Sequence, residues 1–377
     1  MDNINEAYVN TGDVSRLCSF LERAGNGEKL TVGFIGGSIT NGSLASVHER
    51  CYAARTVHWL REKYPEAEFT YINAGIGGTT SHYGTARAEQ DLLKSDPDLV
   101  VVEFSVNDEN TAFYRETYEG LIRRILKWRS APAVMILHNI MYSNGTSAEG
   151  QHLAVGKHYN VPCVSGKSSI YRDIMSGKIN AADITPDGLH PNDEGHRLVS
   201  ELLTSFMEKA AAGEFGDGFG LPGSEILPTP ITENRYERAE RVFKSAEEVY
   251  VGKCPSEDTE GVKVASDNVS DPYGVQSAFT GYEKGDHAVF EVTGTEIAAQ
   301  FVRYVKHPAC VATAVVDGDE DNAVVLDGNF DETWGDKLDI SILRFHGPAG
   351  KHRVKITVTE GDRSCVPFRL VSLIIGT

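Results

Sequence analysis

Two hydrophobic patterns follow one another along the chain. In residues 1–210, short runs of β-branched and apolar side chains at 30–35, 69–73, 99–104, 133–138 and 161–164 alternate with longer stretches in which apolar residues recur every three or four positions, at 47–63, 82–94, 113–128, 148–158 and 192–210. The first kind predicts strands and the second helices. Their alternation implies a parallel sheet with helices on both faces, an α/β domain. Residues 211–230, AAGEFGDGFGLPGSEILPTP, are dense in Gly and Pro and hold no sustained period, which predicts a linker or a loop strapped across the first domain. From 231 to 377 the runs shorten and alternate, at 288–292, 297–304, 312–316, 339–345, 352–358 and 368–375, with turn pairs such as Asp317-Gly318 and Asp327-Gly328 between them. That spacing predicts an all-β sandwich.

Composition narrows the partners. Acidic residues outnumber basic ones, 54 to 36, for a formal charge of −18, which disfavours duplex nucleic acid and anionic membrane surfaces. No run of eighteen apolar residues exists to span a bilayer. The first ten residues are polar and lack a secretory signal, so the chain as given reads as cytoplasmic. The six cysteines, at 18, 51, 163, 254, 310 and 365, form no C-x-x-C pair, and the histidines show no metal-ligand spacing. Buried thiols, no metal and no cofactor are therefore expected. A homo-oligomer is left open.

Four short blocks carry candidate chemistry. Gly36-Gly37-Ser38-Ile39-Thr40-Asn41-Gly42 closes the first predicted strand; its small residues permit a tight strand-to-helix turn that presents the Ser38 hydroxyl and amide to a cleft. A phosphate-cradling loop would need a Lys followed by Ser or Thr, which is missing. Asn73-Ala74-Gly75-Ile76-Gly77-Gly78-Thr79-Thr80 follows the second strand. It reads either as a truncated dinucleotide fingerprint or as a turn whose Gly75 amide faces a developing oxyanion. Phe104-Ser105-Val106-Asn107-Asp108 ends the third strand and offers the Asn107 side-chain amide as a second donor, with Asp108 bracing the loop. Asp187-Gly188-Leu189-His190 precedes the last helix, and a carboxylate three residues before an imidazole can accept its Nδ1 proton and leave Nε2 to act as a base. Each block alone is common; together, at the carboxyl ends of successive parallel strands, they supply a nucleophile, donors and an oriented imidazole, the requirements of ester hydrolysis. The α/β-hydrolase form is disfavoured because no G-x-S-x-G elbow is present.

In these blocks the sequence resembles the SGNH (GDSL-like) hydrolases over about residues 31–203, with Gly-Gly-Ser-Ile in place of Gly-Asp-Ser-Leu and Ser105 in place of a Gly in the third block. The resemblance implies a flavodoxin-like three-layer domain, Ser38 as nucleophile, Asp187 and His190 as acid and base, and Ser38, Gly75 and Asn107 as oxyanion donors. With a following sandwich of jelly-roll type, it is similar to the two-domain mannan acetylesterases of carbohydrate esterase family 17. This implies an acetylated oligosaccharide substrate and a carbohydrate-binding second domain. Trp334, in the polar loop 331–335, is the candidate sugar-stacking residue there. A lipid or thioester acylhydrolase, a xylan acetylesterase, a non-catalytic carbohydrate-binding protein and a nucleotide-binding α/β protein remain as rival readings.

Overall fold

The computed structural model describes residues 4–216, 227–242, 246–251 and 278–377, with the backbone alone of 247–250. The expected linker therefore lies partly outside the described residues. The chain divides into two compact units, Met1–Asn234 and Arg235–Thr377.

Unit 1 is built on strands β1 (Tyr8–Asn10), β2 (Lys29–Gly36), β3 (Glu68–Gly75), β4 (Leu99–Glu103), β5 (Ala133–His138) and β6 (Cys163–Ser165). Between them run helices α1 (Ser15–Gly25), α2 (Ser38–Asn41), α3 (Tyr52–Lys63), α4 (Ser81–Asp91), α5 (Ala112–Leu126) and α6 (Glu149–His158), followed by α7 (Arg172–Met175), α8 (Ala181–Ile184) and α9 (Asp193–Ala211). The sheet order is β1-β6-β5-β4-β2-β3. Strands β2 to β6 pair in parallel, and β1 adds an antiparallel edge. Counting only the parallel strands the order is 2-1-3-4-5, the flavodoxin-like arrangement, whose crevice opens between β2 and β4 where the chain switches direction across the sheet.

The local causes are plain. Every residue of β4 is buried, as a Leu-Val-Val-Val run with helices on both faces requires. One helical layer buries Leu17, Phe20, Leu21, Leu202, Leu203 and Phe206 against one face of the sheet, and the other buries Tyr118, Leu121, Ile122 and Val155 against the opposite face. The helix expected from residue 47 starts only at Tyr52: Cys51 is extended at φ −67° and ψ 154°, and 48–50 form a separate 3-10 turn. Helix α9 begins where expected because the Asn192 side chain caps the Glu194 and Gly195 amides, both at 3.0 Å.

The segment after the undescribed stretch is part of unit 1. The buried Glu119 carboxylate of α5 accepts the Ile231 amide at 2.8 Å, the Thr232 amide at 2.9 Å, and the Thr232 and Tyr159 hydroxyls. Arg123 donates to the Pro228 carbonyl at 2.9 Å, and the His158 ring donates to the Thr229 carbonyl at 2.8 Å. These bonds carry unit 1 past the sequence boundary at 230, consistent with its end at Asn234.

Unit 2 is antiparallel throughout its described strands. They are β7 (Glu240–Val242), β8 (Ala246–Tyr250), β9 (Phe279–Gly281), β10 (His287–Gly294), β11 (Glu296–Arg303), β12 (Val311–Val316), β13 (Val324–Asp327), β14 (Lys337–Arg344), β15 (Gly350–Glu360) and β16 (Phe368–Gly376). One sheet runs β13-β12-β15-β10-β8 and the other β14-β11-β16-β7, with β9 on β16. Phe290, Ile356, Ala312 and Val354 from the first meet Phe301, Phe368, Leu370 and Leu373 from the second in a common apolar core.

Candidate active site

The carboxyl ends of β2, β3 and β4 converge on Ser38. Gly36 and Gly37 leave β2 where no side chain fits: a Cβ on Gly36 would overlap Thr40 Oγ1 and the Glu103 carbonyl, and one on Gly37 would overlap Asn107 Oδ1. The turn is pinned from below, because the Gly36 carbonyl accepts the Ile76 amide at 3.1 Å and the fully buried Arg87 guanidinium at 3.2 Å. Ser38 then opens the short helix α2, the residue as a whole 8% exposed.

His190 arrives on the turn before α9. Gly188 holds φ +75°, a left-handed conformation that glycine adopts without cost, and its carbonyl accepts the Ser143 amide at 2.9 Å. The ring lies 2.8 Å from Ser38 Oγ through Nε2 and 2.7 Å from Asp187 Oδ2 through Nδ1. Partial burial would by itself raise the Asp187 carboxyl. The His190 ring and the Leu189 and His190 amides, all hydrogen-bonded to the carboxylate, outweigh burial and hold the acid below its ordinary value. As an anion Asp187 accepts a hydrogen bond from Nδ1–H, which fixes that tautomer and leaves the Nε2 lone pair for the serine hydroxyl. Ser38, Asp187 and His190 are thus brought together in hydrogen-bonded sequence.

The donor side differs in one residue from the sequence reading. Asn107 stands over the Ser38 turn with its Oδ1 packed against Gly37, buried and without a hydrogen-bond partner among the described residues. Gly75, expected to offer its amide, instead donates it to Asn73 Oδ1 at 2.9 Å. Its role is steric, since a Cβ there would overlap the Asn41 amide. Gly77 and Gly78 pass nearer the nucleophile: a Cβ on Gly77 would meet Ser38 Cβ at 3.8 Å, and Gly78 holds φ +68°. Neither amide makes a backbone hydrogen bond among the described residues. The Gly77-Gly78 pair in the same block was the available signal.

A contact that no local spacing announces joins the two catalytic loops. Asp193, three residues after His190, accepts the Ser46 amide at 2.8 Å, the Ser46 hydroxyl at 2.7 Å and Arg50 at 2.6 Å. The Ser46 amide, Arg50 and the Ser46 hydroxyl hold this carboxyl well below the usual range. Trp334 lies in unit 2, 49% exposed and edge-on to Phe330 with 5.1 Å between ring centres. Among the described residues no cluster of three His, Cys, Asp or Glu is arranged to hold a metal, and no helix is long and apolar enough to cross a membrane.

A serine hydroxyl, an imidazole and a carboxylate in line at the switch point of a flavodoxin-like sheet define a serine hydrolase, and residues 34–198 match the GDSL-like lipase/acylhydrolase family, to which the chain belongs. Its fold is that of a two-domain esterase active on acetylated mannans, solved alone and with mannopentaose. The likeness to the mannopentaose structure has a TM-score of 0.89 and 42% identity, over 99% of this chain and 98% of that one. An acetylxylan esterase of Geobacillus stearothermophilus is 25% identical over 209 residues, 48% of this chain and 94% of that protein. Thioesterase 1/protease 1/lysophospholipase L1 of Escherichia coli strain K12 is 25% identical over 180 residues, 45% of this chain and 82% of that one.

Proposed function

We propose that the protein is a carbohydrate acetylesterase that removes O-acetyl groups from manno-oligosaccharides through a serine acyl-enzyme. The observation that carries this reading is the likeness to the acetylated-mannan esterase across both units, joined to the 2.8 Å and 2.7 Å bonds of the triad. Ser38 Oγ attacks the acetyl carbonyl while His190 Nε2 takes its proton, and the imidazolium is stabilised by Asp187. The carbonyl electrons pass to an oxyanion held by the Ser38 amide, the Asn107 side-chain amide and the Gly77-Gly78 amides in place of that of Gly75. As the oxyanion collapses, His190 returns the proton to the departing sugar oxygen. Water, deprotonated by the same nitrogen, then attacks the acetyl-serine; acetate leaves and Ser38 regains its proton. The sandwich serves as a carbohydrate-binding module, with Trp334 stacking on a sugar face, a role favoured by an exposed indole in a polar loop.

The test is acetate release from acetylated manno- and xylo-oligosaccharides, beside a series of aryl esters of increasing acyl length. Mannan fragments are expected to be deacetylated, with a loss on the order of 10⁴ in kcat for Ser38→Ala and His190→Ala. Activity surviving Ser38→Ala sinks the mechanism. A preference for long acyl chains would favour a lipid or thioester acylhydrolase, and a preference for xylan fragments would move the substrate class.

A further inference from the structure

Among the described residues no hydrogen bond to the Asn107 side chain fixes its direction, so its aim depends on where its backbone is held. Its own amide turns back to the Phe104 carbonyl at 3.1 Å, and the next residue ties the loop to its surroundings. Asp108, 6% exposed, uses both oxygens: Oδ1 accepts the Ser81 amide at 2.8 Å and Oδ2 accepts a hydrogen bond from His152 Nε2 at 2.9 Å. Ser81 opens α4 just after the Gly77-Gly78 turn, and its hydroxyl is bonded to Thr117 at 2.6 Å. His152 comes from α6, is fully buried, and lies flat on Tyr118 of α5, with 3.6 Å between ring centres and 5° between planes. One carboxylate therefore ties three segments together: the loop carrying Asn107, the end of the loop carrying Gly77 and Gly78, and helix α6. Both tethered loops are on the oxyanion side of Ser38, and neither Asp108 nor His152 bonds Ser38 or His190.

We infer that His152, acting through Asp108, is a positioning residue that aims Asn107 at the oxyanion; this rests on the reading of Asn107 as a donor. The imidazole suits the task, since it donates one N–H to the carboxylate while its flat face, clamped on Tyr118, keeps that donor from swinging away. Removing the donor leaves the Asp108 carboxylate bonded only to the Ser81 amide, and the loop is then held toward α6 only at its ends, by the Ala148 amide on the Ser105 carbonyl at 2.7 Å and by the exposed Gln151–Asn110 bonds.

The decisive experiment is a double-mutant cycle on a small aryl acetate, with kcat and KM measured for wild type, Asn107→Ala, His152→Phe and the double variant. Phe keeps the stacking on Tyr118 and deletes the hydrogen bond. Loss of one oxyanion donor lowers kcat by roughly 10²- to 10³-fold, so His152→Phe is expected to lower kcat by about ten- to a hundred-fold with KM within about twofold. In the Asn107→Ala background the same change should cost less than about twofold, because its effect passes through the missing side chain. An equal loss in both backgrounds overturns the inference while leaving Asn107 a donor. An Asn107→Ala variant with full kcat overturns the donor reading itself and the inference with it. If His152→Phe does not fold, the nearly isosteric Asp108→Asn replaces it in the same cycle, with the same outcomes decisive.

Discussion

Glu103, the last residue of β4, is fully buried beneath the nucleophile helix, and replacing it with Gln should make stability depend differently on pH. Burial pushes its carboxyl up from 4.5 to about 7, helped by nearby Asp108, although hydrogen bonds from Ser105 and Thr40 pull the other way. The fold thus favours the protonated acid. Between pH 4.5 and 7 the folded chain binds more protons at this site than the unfolded chain, so its contribution is fully present below the ordinary value and is lost as pH rises through about 7. At ~1.4 kcal/mol per pH unit the loss is on the order of 3 kcal/mol. Gln mimics the protonated acid and does not titrate, so Glu103→Gln should nearly match wild type at pH 5 and exceed it by that amount at pH 8. For a unit of this size the gap corresponds to roughly 6–12 °C in Tm. His82 and His196, each held near 4 by burial, lose stability toward low pH instead, but they are common to both proteins and cancel in the difference. Scanning calorimetry at pH 5, 6.5 and 8 gives the answer. A gap that is flat with pH, or that narrows as pH rises, would refute the reasoning.

Two further substitutions test the walls of the site. Gly37→Ala must displace Asn107, and kcat should fall by roughly 10²-fold while the circular dichroism spectrum keeps its helical and strand content; full activity would show that Asn107 can move without consequence. Asp193→Ala frees the 46–50 loop from the His190 loop, and a misplaced base should cost roughly ten- to a hundred-fold in kcat, read as the rate on aryl acetate with the Tm beside it. A variant within twofold of wild type would make the clamp a surface contact only.

The parallel core was legible because a strand covered on both faces must be apolar along its whole length, as residues 99–102 are. The triad was legible because Asp187 and His190 lie within one turn and Ser38 sits in a run of small residues. The long-range contacts were not. Helix α3 was expected to begin at 47 since His48, Glu49 and Arg50 oppose no helix, yet Arg50 and Ser46 are drawn to Asp193 more than 140 residues on. Glycine misled for a related reason: 73–80 holds three of them, and only the fold decides that the Asn73 side chain takes the amide of Gly75. Strand β1 and strands β7 and β9 are three residues each, too short to show a period. Helix α1 carries its signal in Leu17, Phe20, Leu21 and Ala24 and stands outside the expected set although its spacing is helical.

The carboxylate of Glu119 sets where a shortened enzyme can safely end. A chain cut at residue 210, where the last helix of the α/β pattern stops, would keep every group of the triad and still discard the Ile231 and Thr232 donors that satisfy the carboxyl oxygens of Glu119, buried on α5. A chain extended to 234 would retain them. For engineering, the useful boundary of the catalytic half therefore lies beyond Thr232, the last residue seen to bond back to the buried Glu119 carboxyl group, and not at the end of the helical pattern.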